Sequence, residues 1–213
     1  MKKSQQIENN LSSHRGFSLS QTFGHPFTDF TISHVGKTFE ILINTRPDTI
    51  LPSFELLFKK FMEEHCAQFE SQQVTEKDII GRVARMWASL VREWHAYFVI
   101  KEKFEERKIR ADVERTDVLD TMNGIDVYIK NPDHPEKSLK VDILMESRKA
   151  LLFREKKDHF RQKGENMPGE LRRIYLGKDH PDSTKCLSDI NGHKWFLISD
   201  VAVDNLINDY QIS

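Results

Sequence analysis

Residues 123–160 read NGIDVYIKNPDHPEKSLKVDILMESRKALLFREKKDHF, and this stretch decides the fold. It parses as a strand, a polar turn marked by Pro132 and Pro135, a second strand over Lys137 to Glu146, and a basic amphipathic helix from about Arg148 to Lys163. Each strand carries one acid inside a β-favouring run: Asp126 between Ile125 and Val127, and Asp142 between Val141 and Ile143. A carboxylate in such a run needs its charge compensated if it is buried. One reading is that the two acids share a divalent cation. The other is that both are ordinary strand-end acids facing water.

Working outward, the strongest helical signal lies upstream. From Thr75, followed three residues later by Asp78 in a variant of the capping box, to about Glu106, apolar residues recur at threes and fours. The stripe includes Val83, Trp87, Leu90, Val91, Trp94 and Phe98, which predicts a long core helix with its tryptophans buried. A shorter helix is expected from Leu51 to about Glu70, with Pro52 in its first turn. Before it, FTDFTISHVGKTFEILIN alternates loosely, and His34 to Lys37 could turn a hairpin. Downstream, KIRADVE (Lys108–Glu114), LRRIYLG and KWFLIS read as strands. DHPDSTKCLSDINGH reads as a long polar loop, and VAVDNLINDYQI as a last helix capped by Asp200. The expected division is a flexible 1–16, a hairpin and helix over 17–73 packed on the core, and a core domain over 74–213. The expected class is α/β (α+β), a mixed sheet flanked by helices.

Composition narrows the function. The 213 residues are 31% charged with a formal net charge of −1, so phosphate binding would have to come from a local patch. One such patch is visible: from Ser147 to Arg173 there are nine Lys/Arg against four Asp/Glu. Two cysteines, Cys66 and Cys186, lack metal-ligand spacing and fit a reduced protein. No apolar run approaches the roughly 18 residues a membrane span needs. The opening MKKSQQIENN has no apolar signal-peptide core, so a cytoplasmic protein without a membrane partner is expected. Other chemistries find no support. The nine histidines include no HExxH pair, Ser/His/Asp residues lack a G-x-S-x-G elbow, and Gly36-Lys37-Thr38 fails as a P-loop because Thr31 stands where its first glycine belongs.

The acids, strands and helix together resemble the PD-(D/E)xK, or restriction endonuclease-like, nuclease superfamily over roughly residues 75–180. Gly124-Ile125-Asp126 stands for its first acid and Val141-Asp142-Ile143-Leu144 for its second motif, with Leu144 in the lysine position. The resemblance implies an αβββαβ core and hydrolysis of phosphodiester bonds with Mg²⁺ or Mn²⁺, in DNA rather than RNA, with a homodimer for palindromic sites. It implies Asp126 and Asp142 as metal ligands, with Glu93 of the long helix or Glu146 as a further ligand. Viral cap-snatching endonucleases, which resemble this pattern, carry the lysine on the following helix. Lys149, Lys156 and Lys157 are available there, and Lys156 or Lys157 is the expected choice. Arg148, Lys149, Arg154, Arg161 and Lys163 would contact nucleic acid. Base recognition would fall to the N-terminal hairpin or to the loop between Gly177 and His193. Two rival expectations stand beside this: an inactive nuclease-fold protein that binds nucleic acid or a protein, with Leu144 recording the loss, and an α/β interaction module with incidental acids.

Overall fold

The computed structural model describes residues 1–13, 32–45, 50–71, 76–115, 125–145 and 167–212. Its helices are α1 (Lys3–Ser12), α2 (Ile32–Thr45), α3 (Phe54–Ser71), α4 (Glu76–Glu106) and α5 (Asp200–Ile212). Its strands are β1 (Asp112–Glu114), β2 (Val127–Lys130), β3 (Leu139–Met145), β4 (Glu170–Leu176), β5 (Thr184–Ser188) and β6 (Lys194–Ile198). The chain is mixed α+β. Among the described residues, β1 to β4 form one sheet in chain order, and β5 and β6 form a separate antiparallel pair.

The expected long helix is present as α4, and it threads two apolar clusters because its stripe is too wide for one neighbour. Trp87, Leu90, Val91 and Trp94 join α1, α2, α3 and β6, including Trp195 and Leu197. Ala96, Val99, Ile100 and Phe104 pack instead on Val127, Ile129, Leu139, Val141, Ile174 and Leu176 of the sheet, with α5 completing the layer. In the sheet, β1, β2 and β3 pair antiparallel, while β3 and β4 run parallel in the register Asp142↔Arg173.

Several segments differ from the sequence reading. The hairpin expected across His34–Lys37 is replaced by α2, because Val35, Thr38, Phe39 and Leu42 lie at helical spacing and bury one face in the first cluster. The N-terminus expected to be flexible holds α1, whose Ile7 and Leu11 are buried one helical turn apart. Polar contacts fasten it further: Glu8 meets His95 Nε2 at 3.0 Å and accepts from Lys185 Nζ at 2.6 Å. Part of the expected loop 179–193 is β5, paired with β6 through Leu187↔Trp195. α3 begins after Pro52, with Ser53 Oγ accepting from the Leu56 N–H at 3.2 Å. Ser199, not Asp200, caps α5: its Oγ accepts from the Ala202 N–H at 3.1 Å, while Asp200 is exposed and meets Lys103. The hairpin turn from β5 to β6 closes on Asp189, whose Oδ1 accepts from the N–H groups of Asn191 and His193. Among the described residues no helix is long and apolar enough to cross a membrane.

Candidate functional site

Strand alternation sorts the sheet into two faces. Val127, Ile129, Leu139, Val141, Ile174 and Leu176 point to α4 and α5. Tyr128, Lys140, Asp142, Leu144, Arg173 and Tyr175 therefore share the other face. The segment before β4 lies against it: the Tyr128 hydroxyl donates to Pro168 O at 3.3 Å and Lys140 Nζ to Met167 O at 3.1 Å.

Asp126 departs from the ladder. Val127 is the register partner of Val141, yet the Asp126 N–H also donates to the Val141 carbonyl at 3.0 Å. Two residues of one strand thus address one residue of the other, as in a β-bulge, and such a bulge re-aims a side chain. The Asp126 carboxylate turns onto β3, where Oδ2 accepts from the Ile143 N–H at 2.5 Å. That nitrogen belongs to the residue directly after Asp142, so the Asp126 oxygen lies within roughly 5 Å of the Asp142 Cα. The two aspartates are neighbours at the end of the β2–β3 ladder. Neither faces water: Asp126 is 5% and Asp142 2% exposed.

The cation beside Asp142 comes from β4. Arg173, its register partner, places Nε 3.8 Å from Asp142 Oδ2 and is itself partly exposed. Nothing in the sequence pattern separated Arg173 from the other basic residues around it. The signal lies in the register, which pairs 142 with 173 across a parallel ladder. Arg172, one residue earlier, points to the opposite face and meets Asp209 at 2.8 Å and Glu170. Its hydrogen bond to Glu170, with that to Asp209, raises the guanidinium pKa above its usual value.

Glu93 sits elsewhere. It lies on α4, buried, with Oε2 accepting from Arg115 Nη2 at 2.6 Å and Oε1 from Ser89 Oγ at 3.0 Å. Arg115 follows β1 and stacks on Trp94, its guanidinium 4.8 Å from the ring centroid. Both carboxylate oxygens are occupied, and the charge of Glu93 is answered by a buried arginine instead of being held open for a cation. Next to it, Arg92 lies over the Trp195 ring, and burial lowers its pKa to about 10.

Glu146, Arg148, Lys149, Arg154, Lys156, Lys157, Arg161 and Lys163 lie outside the described residues, as does the helix expected to carry most of them. Among the described residues no group of three or more His, Cys, Asp or Glu side chains is arranged to hold a metal ion. The donors that are present still suit one kind of ion. Two adjacent buried carboxylates offer hard oxygens, and Mg²⁺ is commonly held by one or two carboxylates, with water and substrate phosphate completing its shell. Comparison of the chain with protein-family models, curated proteins and solved structures returned no match.

Proposed function

We propose that this protein hydrolyses phosphodiester bonds in nucleic acid with a divalent cation held by Asp126 and Asp142. The observation that carries the reading is the hydrogen bond from the Ile143 N–H to Asp126, which seats one buried acid beside the other. The strand order supports it as well. A parallel β3–β4 pair requires a crossover of about a dozen residues or more, as the strand–helix–strand step of a restriction endonuclease-like core has.

Bound Mg²⁺ or Mn²⁺ would acidify a water molecule and neutralise charge on the scissile phosphate. The chain's own residues prepare for that chemistry. Asp126 and Asp142 concentrate negative charge where water is scarce, which strengthens their hold on a cation. The Ile143 N–H fixes the rotamer of Asp126, so less order has to be imposed at the moment of reaction. The Arg173 guanidinium offsets the charge of Asp142 and would stabilise negative charge building on phosphate oxygens. Leu144 can hold no proton, so that task falls to Lys156 or Lys157 in this proposal, with Glu146 as a third ligand. Glu93 is left out of the ligand set because Arg115 and Ser89 occupy it.

The test is cleavage of plasmid DNA and of single-stranded RNA in Mg²⁺ or Mn²⁺ by the parent, Asp126→Asn and Asp142→Asn. The parent is expected to cut, and each variant to lose about 100-fold or more. A parent that cuts nothing, or variants that cut equally well, would overturn the proposal. A second reading has its own observation. Asp142 already faces Arg173 and Leu144 offers no cation, an arrangement suited to a nuclease-fold protein that binds without cutting. Binding by a parent that does not cleave in either metal would select it.

A further inference from the structure

The four-stranded sheet ends on β1, which pairs only with β2 among the described strands. The opposite edge strand, β4, is fastened at its end to the turn that follows: Ser183 Oγ donates to Tyr175 O at 2.7 Å, and the Gly177 N–H donates to Thr184 Oγ1 at 3.0 Å. Beside β1 the chain instead forms a cavity of about 390 Å³. Phe104 of α4 and Ile109, Ala111 and Val113 line it, and the last three pack toward the second apolar cluster. The register Val113↔Ile129 puts Val113 on the α4 side of the sheet, so the exposed side chains of Asp112 and Glu114 project from the other face. Glu105 of α4 stands exposed at the rim. Among the described residues Glu105, Asp112 and Glu114 take part in no ion pair, and the nearby Lys101 turns its Nζ to the Tyr97 hydroxyl at 3.4 Å.

We propose that the outer edge of β1 takes up an extended segment of a partner protein as a fifth strand, one whose residues alternate between basic and apolar. An edge strand presents unpaired N–H and C=O groups, which template the addition of another strand. Every second side chain of a strand laid there falls on the α4 side, where the cavity gives an apolar residue room beside Val113 and Phe104. The side chains between them fall opposite Asp112 and Glu114, so lysine or arginine at those positions makes cross-strand charge pairs. A short, charged edge is a common guard against unwanted pairing. Two acids here reject neutral and acidic strands and favour a basic one, so the guard also selects. A second copy of this chain is disfavoured, because β1 laid on β1 sets acid against acid. Nucleic acid is disfavoured too, since its phosphates would face the same carboxylates. The inference is independent of the hydrolysis reading above.

Fluorescence anisotropy of the full chain with labelled peptides of about eight residues, long enough to run the length of β1, tests this. The probes are a peptide alternating lysine and valine, one with the same residues in two blocks, one alternating glutamate and valine, and the first with its main-chain amides N-methylated. The lysine–valine peptide is expected to bind, and each of the other three to bind at least about tenfold more weakly. In the double variant Asp112→Lys with Glu114→Lys the preference should reverse, the glutamate–valine peptide binding about tenfold more tightly than the lysine–valine one. Circular dichroism melts establish that the variant is folded, and the four peptides on the parent chain test the proposal without it. No binding of the lysine–valine peptide, equal binding of the block peptide or of the N-methylated one, or an unchanged preference in the folded double variant would overturn the proposal. Sedimentation of the parent is expected to show no dimer that the charge reversal alters. A dimer that it dissociates would assign the edge to a second copy and overturn the proposal as well.

Discussion

The main-chain N–H of Ile143 donates to Oδ2 of Asp126 at 2.5 Å, across the point where the β2–β3 ladder ends. The bond performs two tasks. It satisfies a strand donor beyond the last register pair, Val127↔Val141, and it aims a buried carboxylate at the residue after Asp142. These tasks separate by mutation. Asp126→Asn keeps an oxygen for Ile143 and removes the charge, so it should fold with nearly parental stability. Asp126→Ala strands the donor and should cost about 1–3 kcal/mol in urea unfolding. Equal stability of the two variants would show that the bond does not contribute.

Glu93 and Arg115 should behave as a structural pair. Their side chains are 9% and 1% exposed, and Glu93→Ala would leave a buried guanidinium without its counter-charge. The expected loss is about 3–5 kcal/mol. The double variant Glu93→Gln with Arg115→Met should recover much of it, which a double-mutant cycle of unfolding free energies would measure. Glu93→Gln alone should leave affinity for Mn²⁺ unchanged. A large loss of metal affinity would restore Glu93 to the ligand set.

The docking of α1 should weaken in acid. The hydrogen bond to His95, assisted by Lys185 and opposed by burial, lowers the Glu8 carboxyl from about 4.5 to about 2. The unfolded chain then binds more protons than the folded one between those values, so stability rises with pH across that interval. The contribution is complete above about pH 4.5 and is lost as pH falls toward 2. Glu8→Gln should be less stable than the parent at pH 6, and the gap in thermal midpoint should close on acidification. A gap that stays constant from pH 6 to 2 would contradict the assignment.

Gly169 should be irreplaceable where Gly192 is not. Gly169 has φ +101°, and a Cβ there would lie 2.1 Å from the Ser138 carbonyl oxygen. That same oxygen accepts from the Glu170 N–H at 2.9 Å and starts the parallel ladder that aligns Asp142 with Arg173. Gly169→Ala must push the two strands apart and is expected to cost on the order of 2–3 kcal/mol. Gly192 has φ +79° but open space around it, so Gly192→Ala should cost only about 1–2 kcal/mol. Chemical unfolding of both variants checks the order.

Strong periodicity was the legible part of this fold. α4, α3, β2, β3 and α5 carry enough apolar residues at one spacing for local pattern to agree with tertiary burial. The misread segments are those where one set of residues satisfies two periods, or where few apolar residues report. Val35, Phe39 and Leu42 fit a helix as well as a loose alternation, and Gly36-Lys37 imitated a turn until packing on α4 decided. Ile7 and Leu11 are the only large apolar anchors of α1, so its helix was invisible until the groove beside α4 was known. β5 is mostly polar and has no fully buried residue, yet Asn191-Gly192 after it was a hairpin signal in plain view. In the candidate site, the spacing of Asp126 and Asp142 was readable and their partners were not. Arg173 reaches Asp142 through register, and Arg115 reaches Glu93 across two elements.

Calorimetric titration of Mn²⁺ into the parent chain, Asp126→Asn, Asp142→Asn and Glu93→Gln tests the shared site most directly, with no need for a substrate. The parent and Glu93→Gln are expected to bind with the same affinity, and either aspartate change to weaken binding at least about tenfold. A parent that binds no Mn²⁺, or aspartate variants that bind it as tightly as the parent, would contradict the account.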